Sequence, residues 1–288
     1  MKLVRFIDGN GVRPGLWTEK GLIDLRAVFP EIPDIGQTFF EQGWLDRLRE
    51  RSIDGPAVQA RLSYPVVSPG KIICLGKNYA EHAKEGGFEA PSRPLLFAKA
   101  SSALNGPYDP ILLPSSSRDV DWEVELALII GKRCKRMSRA HALDVVAGVS
   151  ILNDVSARHA QFADSQWFRG KSFDTFAPMG PFLVTLDEIG DIGNLRLETI
   201  VNGITMQDGT TRDLIFDIPT LIENISEDIT LMPADIISTG TPAGVGFFRN
   251  PPIVLKEGDV VECRISGLGA LVNRVIAEGT APSKLPSK

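Results

Sequence analysis

Asp121, Glu123 and Glu125 stand at every second position of "RDVDWEVELALIIGK", residues 118–132. The stretch reads as one β-strand, because Trp122, Val124, Leu126 and Leu128 alternate and "LALII" is apolar and branched. A period of two then gathers the three acids on the opposite face. Carboxylates at that spacing repel one another, and they are costly to bury unless something neutralises them. An exposed edge strand with solvated acids is one resolution. Another comes from "GVSILNDVSARHAQF", where an apolar strand runs into Asn153 and Asp154. Asp154 is either the N-cap of a following helix or, if the two strands are neighbours, a third carboxylate converging on Glu123 and Glu125. Such an all-oxygen cluster suits a hard cation, Mg²⁺, Mn²⁺ or Ca²⁺. With three protein ligands and open positions, Mg²⁺ or Mn²⁺ can also take a substrate.

The elements that must position these acids are mostly strands. From residue 71 onward "KIICLG", "PLLFAK", "EVELALII", "VAGVSILND", "GPFLVT", "RLETIVNG", "DIISTGT" and "DVVECRIS" read as strands, with helices expected at roughly 139–147, 155–167 and 217–228. Asn-Gly and Asp-Gly pairs in "NGITMQDGTT" mark successive turns. Residues 1–65 have a different texture. "KLVRFID" and "RPGLWT" read as short strands, and "TFFEQGWLDRLRERS" as an amphipathic helix. The Pro- and Gly-containing "SYPVVSPGK" places a boundary between a small N-terminal domain (1–65) and a larger domain (70–288). The pattern is α+β and β-rich, without regular βαβ alternation.

Composition narrows the class. The 288 residues are 43% hydrophobic with a net charge of −5, and no Lys/Arg run offers a nucleic-acid surface. No apolar run reaches membrane-spanning length, and "MKLVRFIDGNG" lacks the apolar segment of a secretory signal. The three scattered cysteines are too few for a Cys-rich zinc site and fit free thiols in a reducing compartment. These features lead us to expect a cytoplasmic protein.

Six motifs occur in order: "LGKNYAEHAKE", "FAKASSALNGP", "DWEVELALIIGK", "ILNDVSARHAQ", "RGKSFDTFAPMGP" and "STGTPAGVG". Together, over about residues 70–280, the chain resembles the fumarylacetoacetate hydrolase superfamily. With "MKLVRF" at its start, it resembles the prokaryotic branch of acylpyruvate and 2,4-diketo-3-deoxy sugar-acid hydrolases. The resemblance implies a mixed β-sandwich or β-roll catalytic domain behind a small N-terminal α/β module, and a homodimer. It implies that Glu123, Glu125 and Asp154 hold Mg²⁺ or Mn²⁺, while Asp121 matches no ligand. It also implies a His82–Glu85 dyad, which the i, i+3 spacing permits on one helical face. Glu85 would orient the imidazole and leave His82 as general base. Lys171 and Gln161 match polar substrate-site positions, and Lys99 falls at the outer shell of the metal. Thr241 matches a contact to the substrate carboxylate; Tyr79 and Arg158 are expected to line the site. His141 and His159 have no such role.

The chemistry so implied belongs to a small 2-oxo acid, without nucleic acid or membrane. The first expectation is hydrolysis of the C–C bond of a 2,4-diketo acid to pyruvate and a carboxylic acid. The alternative is decarboxylation of an oxaloacetate-type acid, or isomerisation of an unsaturated 2-oxo acid, through the same enolate.

Overall fold

The computed structural model describes residues 1–9 and 11–279. Its architecture is α+β and rich in strands, as expected. The central strand, Val124–Ile130, is buried along its whole length. It pairs antiparallel with Val146–Asn153 on one side and with Ile236–Ser238 on the other. Ile236–Ser238 runs parallel to Ile72–Gly76, and Leu95–Lys99 forms the edge beyond. Beyond Val146–Asn153 lies Ala177–Val184, followed by the first strand, Lys2–Asp8. One sheet is therefore continuous across residues 66–70, where the sequence places a boundary.

Alternation along the central strand separates two cores. Leu126, Leu128 and Ile130 face a cluster that includes Leu197, Val261 and Leu271 of a second, five-stranded sheet. Ala127 and Ile129 face a cluster built with Phe39, Trp44 and Leu48 of the N-terminal region. Burial of this strand by apolar layers on both sides is the main hydrophobic anchor of the acids at its start.

Several sequence expectations need correction. Residues 118–132 are not one strand: Val120–Asp121 and Val124–Ile130 are separate, with Trp122 and Glu123 in the break. The expected helix 155–167 shrinks to Arg158–Ala163, because Ser156–Ala157 pairs with Val120–Asp121 instead. The helix expected at 139–147 stands as a 3₁₀ helix, Arg139–Val145. The amphipathic segment near residue 40 is two helices, Gln37–Glu41 and Trp44–Arg49, interrupted at Gly43 in the left-handed region (φ 71°). The helix at 217–228 stands as Ile218–Asp228, with the Asp217 carboxylate accepting the Thr220 N–H at 3.0 Å as its N-cap. Among the described residues no helix is long and apolar enough to cross a membrane.

Candidate active site

The register Val124↔Asn153 explains how the acids meet. It places Glu123 beside Asp154, whose backbone N–H donates to the Glu123 carbonyl at 2.8 Å. The Glu123 N–H in turn donates to Asn153 Oδ1 at 3.0 Å. Glu125 follows two residues on. One oxygen from each of Glu123, Glu125 and Asp154 lies within 4.8 Å of the others, and all three side chains are buried. Asp154 is not a helix cap. Its Oδ1 accepts from Lys99 Nζ at 2.6 Å and its Oδ2 from Lys171 Nζ at 2.7 Å.

Three cations hold this cluster. Lys171 also donates to Glu123 Oε2 at 2.7 Å. Arg158 donates to Glu123 Oε1 at 2.6 Å and to Gln161 Oε1 at 3.0 Å. It also reaches Asp121 Oδ2 through Nη2 at 2.8 Å and Nε at 3.2 Å. Glu125 is treated differently, since its Oε2 accepts from Ser238 Oγ at 2.6 Å and from the Gly240 N–H at 3.0 Å, both neutral donors.

The electrostatics follow from these partners. Burial raises the Glu123 carboxyl, but Lys171 and Arg158 more than offset it and hold Glu123 well below the usual carboxylate range. Burial opposes the Lys171 charge, yet Asp154 and Glu123 raise its pKa. Glu125 has no such direct cation: burial, then the charges of Asp154 and Glu123, push it up to about 8. The cluster thus lacks positive charge at Glu125. A hard divalent cation among Glu123, Glu125 and Asp154 would supply it, so the donor set fits Mg²⁺ or Mn²⁺.

A cavity opens beside the cluster. Its wall includes His82, Glu123, Glu125, Arg158, Gln161, Lys171 and Thr241. His82 sits on the helix Ala80–Glu85, and its Nδ1 is 2.8 Å from Glu85 Oε1. Glu85 Oε2 accepts the Gly244 N–H at 2.9 Å, so the dyad is tethered to the glycine-rich loop. With Nδ1 engaged by a carboxylate, Nε2 is the ring atom left for proton transfer. The Thr241 hydroxyl is committed to structure: it donates to the Val124 carbonyl at 2.9 Å and accepts from Gln207 Nε2 at 2.8 Å.

Lys99 and Tyr79 stand off the cavity wall. Lys99 is buried beneath Asp154 and also donates to the Val155 carbonyl at 3.2 Å. Tyr79 is buried with its hydroxyl unpartnered. His141 is exposed beside Asp144, and His159 is exposed as well.

Sequence reasoning missed the aromatic wall of Phe88, Phe97, Phe162, Trp167 and Phe248. Phe248 packs 6.1 Å from His82 and 6.0 Å from Phe88, ring centre to ring centre. The adjacent phenylalanines of "GVGFF" were the available signal. The role of Asp121 was missed too, as it is fully buried on Arg158.

The chain is similar to known proteins over nearly its whole length. The family model for the fumarylacetoacetate (FAA) hydrolase C-terminal domain matches residues 71–276. The chain is 43% identical over 288 residues to a Bos taurus protein, oxaloacetate tautomerase FAHD2A, mitochondrial, covering 96% of this chain and 92% of that one. A fumarylacetoacetate hydrolase from psychrophilic Exiguobacterium antarcticum superposes with a TM-score of 0.81 at 37% identity, covering 96% of this chain and 99% of that one. A maleylpyruvate hydrolase from Sphingobium sp. SYK-6, solved with manganese(II) and pyruvate, superposes at 0.75 with 34% identity, covering 96% and 99%.

Proposed function

The chain belongs to the fumarylacetoacetate hydrolase family, and from that premise we propose that it interconverts the enol and keto forms of oxaloacetate or a closely similar 2-oxo acid. The sequence alone favours C–C hydrolysis. Similarity to an oxaloacetate tautomerase along 96% of the chain favours the isomerase alternative. The observation that carries the reading is the placement of His82, with Nδ1 held by Glu85, on the same cavity wall as Lys171, Glu123 and Glu125. Tautomerisation needs a proton carrier at carbon and positive charge at the adjoining oxygen, and this wall supplies both.

Glu123, Glu125 and Asp154 would hold Mg²⁺ or Mn²⁺, which when bound polarises the 2-oxo group as a Lewis acid. His82 Nε2 takes the proton from C3 in the keto-to-enol direction and hands it to the enolate oxygen, and it runs the two transfers in reverse in the other direction. Glu85 stabilises the imidazolium meanwhile. The Lys171 ammonium, fixed between Glu123 and Asp154, faces the negative charge that develops on oxygen. Phe88, Phe248 and Trp167 exclude water from the enolate. The test is exchange of the C3 protons of oxaloacetate in D₂O, followed by NMR with Mg²⁺ present. Exchange no faster than in buffer would refute the proposal.

A second reading, hydrolysis of an acylpyruvate or 2,4-diketo-3-deoxy sugar acid, is favoured by the same dyad, because His82 Nε2 is equally placed to deprotonate a water. Acetylpyruvate, oxaloacetate and a diketo sugar acid, assayed for pyruvate, CO₂ and acid products, separate hydrolysis from decarboxylation and from tautomerisation. We also propose a homodimer, supported by the family and by exposed Phe162, Phe168 and Leu95 near the site. Light scattering at about 31.4 kDa, instead of about twice that mass, would refute it. A reducing compartment suits the three buried free cysteines.

A further inference from the structure

Lys77 is a cavity-wall cation with no carboxylate partner among the described residues. Arg158 and Lys171, on the same wall, are committed to Asp121, Glu123 and Asp154. Among the described residues Lys77 forms no ion pair. Its ammonium rests 3.9 Å from the ring centre of Phe88, another wall residue. Lys77 is half-buried.

Its backbone is unusual as well. Lys77 lies in the left-handed region at φ 57°, which a lysine rarely adopts. Its neighbours leave it little choice. A Cβ on Gly76 would come within 2.6 Å of Trp167. On the other side, Asn78 is clamped: Nδ2 donates to the Phe216 and Thr239 carbonyls at 3.2 and 2.9 Å, and Oδ1 accepts the Phe216 N–H at 2.9 Å. A strained residue held firmly at a cavity wall points to a use for its side chain.

Charge balance indicates the use. Four buried acids (Asp121, Glu123, Glu125 and Asp154) face three committed cations, Lys99, Arg158 and Lys171. With a divalent cation these buried groups alone carry one net positive charge, which a 2-oxo acid with a single carboxylate balances. A substrate with a second carboxylate needs one more positive group. A cation resting on an aromatic face is only weakly held and can be drawn off by an anion.

We propose that Lys77 selects 2-oxo acids bearing a second, distal carboxylate, its ammonium leaving Phe88 to pair with that group. This rests on the reading of the cavity as a 2-oxo acid site. The probes are oxaloacetate and 2-oxobutyrate, four-carbon 2-oxo acids with and without the distal carboxylate. Their dissociation constants are measured calorimetrically in Mg²⁺ on wild type, Lys77→Met, Lys77→Arg and Lys77→Asn. Asn tolerates the left-handed backbone and keeps the test sound if Met does not fold. Wild type should prefer oxaloacetate by about tenfold or more, the scale of one charge-assisted hydrogen bond. Met and Asn should lose that preference while binding 2-oxobutyrate within about twofold of wild type, and Arg should keep it. A preference absent in wild type, or kept by both Met and Asn, overturns the role of Lys77. C3 proton exchange is followed in parallel. The expected binding pattern without exchange would overturn the tautomerase reading and leave Lys77 in place; no binding of either acid overturns both.

Discussion

Asp121 holds Arg158 through a single oxygen, Oδ2, which accepts from Nη2 at 2.8 Å and Nε at 3.2 Å. The same carboxylate accepts the N–H groups of Gly246 at 2.7 Å, Trp122 at 2.9 Å and Phe247 at 3.0 Å. Five donors therefore converge on one buried acid. Gly246 permits the approach, since a Cβ there would fall 2.1 Å from the Ile253 carbonyl oxygen and 2.9 Å from Asp121 Oδ1. Asp121 thus shares the Arg158 charge with Glu123 and fixes the loop that carries Phe247 and Phe248.

Asp121→Asn should therefore be costly although it preserves shape. An amide nitrogen would face N–H donors, and Arg158 would be left pairing with Glu123 alone. Breaking a buried pair by removing one partner costs about 3–5 kcal/mol. We expect that loss in denaturant unfolding. We also expect weaker Mg²⁺ binding by titration, because Arg158 then competes undivided for Glu123. Unfolding within about 0.5 kcal/mol of wild type, with unchanged Mg²⁺ affinity, would show that Asp121 anchors nothing.

Removal of the divalent cation is expected to abolish turnover, and Mg²⁺ or Mn²⁺ to restore it. Glu123→Ala should lose the metal and, with it, both oxaloacetate exchange and any decarboxylation. Equilibrium dialysis reads metal content independently of activity. A Glu123→Ala protein that retains stoichiometric Mn²⁺ would remove Glu123 from the ligand set.

His82→Ala should separate proton transfer from metal binding. His82 touches none of the three acids by a hydrogen bond; its partner is Glu85. Exchange of C3 protons should fall about 10²-fold or more, the scale of losing a general base, while Mn²⁺ affinity stays near wild type. Wild-type exchange in His82→Ala at saturating Mg²⁺ would transfer the role to another base, with Lys171 the first to test.

The acid cluster was legible because it depends on local rules. Period two puts Glu123 and Glu125 on one side, and one strand pairing brings Asp154 to them. The role of Asp121 was not legible, and Lys99 was placed only by the resemblance, because their partners are remote in sequence. Gly246 lies 125 residues from Asp121, and Asp154 lies 55 residues from Lys99. The over-long helix at 155–167 failed for a related reason: Ser156 and Ala157 are claimed by pairing with Asp121 and Val120, a tertiary demand that overrides local periodicity. Lys171 was recognised as a polar group of the site, but its double engagement of Glu123 and Asp154 requires the fold.

The final prediction concerns access. The cavity is narrow, and Phe88 and Phe248 stand on its wall with their ring centres 6.0 Å apart. We therefore expect the segment that ends at Phe88 to move as a substrate enters. The helix Ala80–Glu85 buries only Ala83 and runs into Gly86 and Gly87, the attachment expected of a segment that opens at low cost. Gly87 has φ 70° and open space where a Cβ would stand. Alanine there meets no clash, only the backbone penalty of the left-handed region, about 1–2 kcal/mol. Gly87→Ala should thus destabilise the closed arrangement specifically. Hydrogen exchange across residues 78–88 should quicken, and KM for oxaloacetate should rise several-fold with little change in Mn²⁺ affinity. Gly87→Asn, which tolerates positive φ, should recover most of the loss. Equal defects in Ala and Asn, or unchanged exchange in this segment, would show that it is not the moving part.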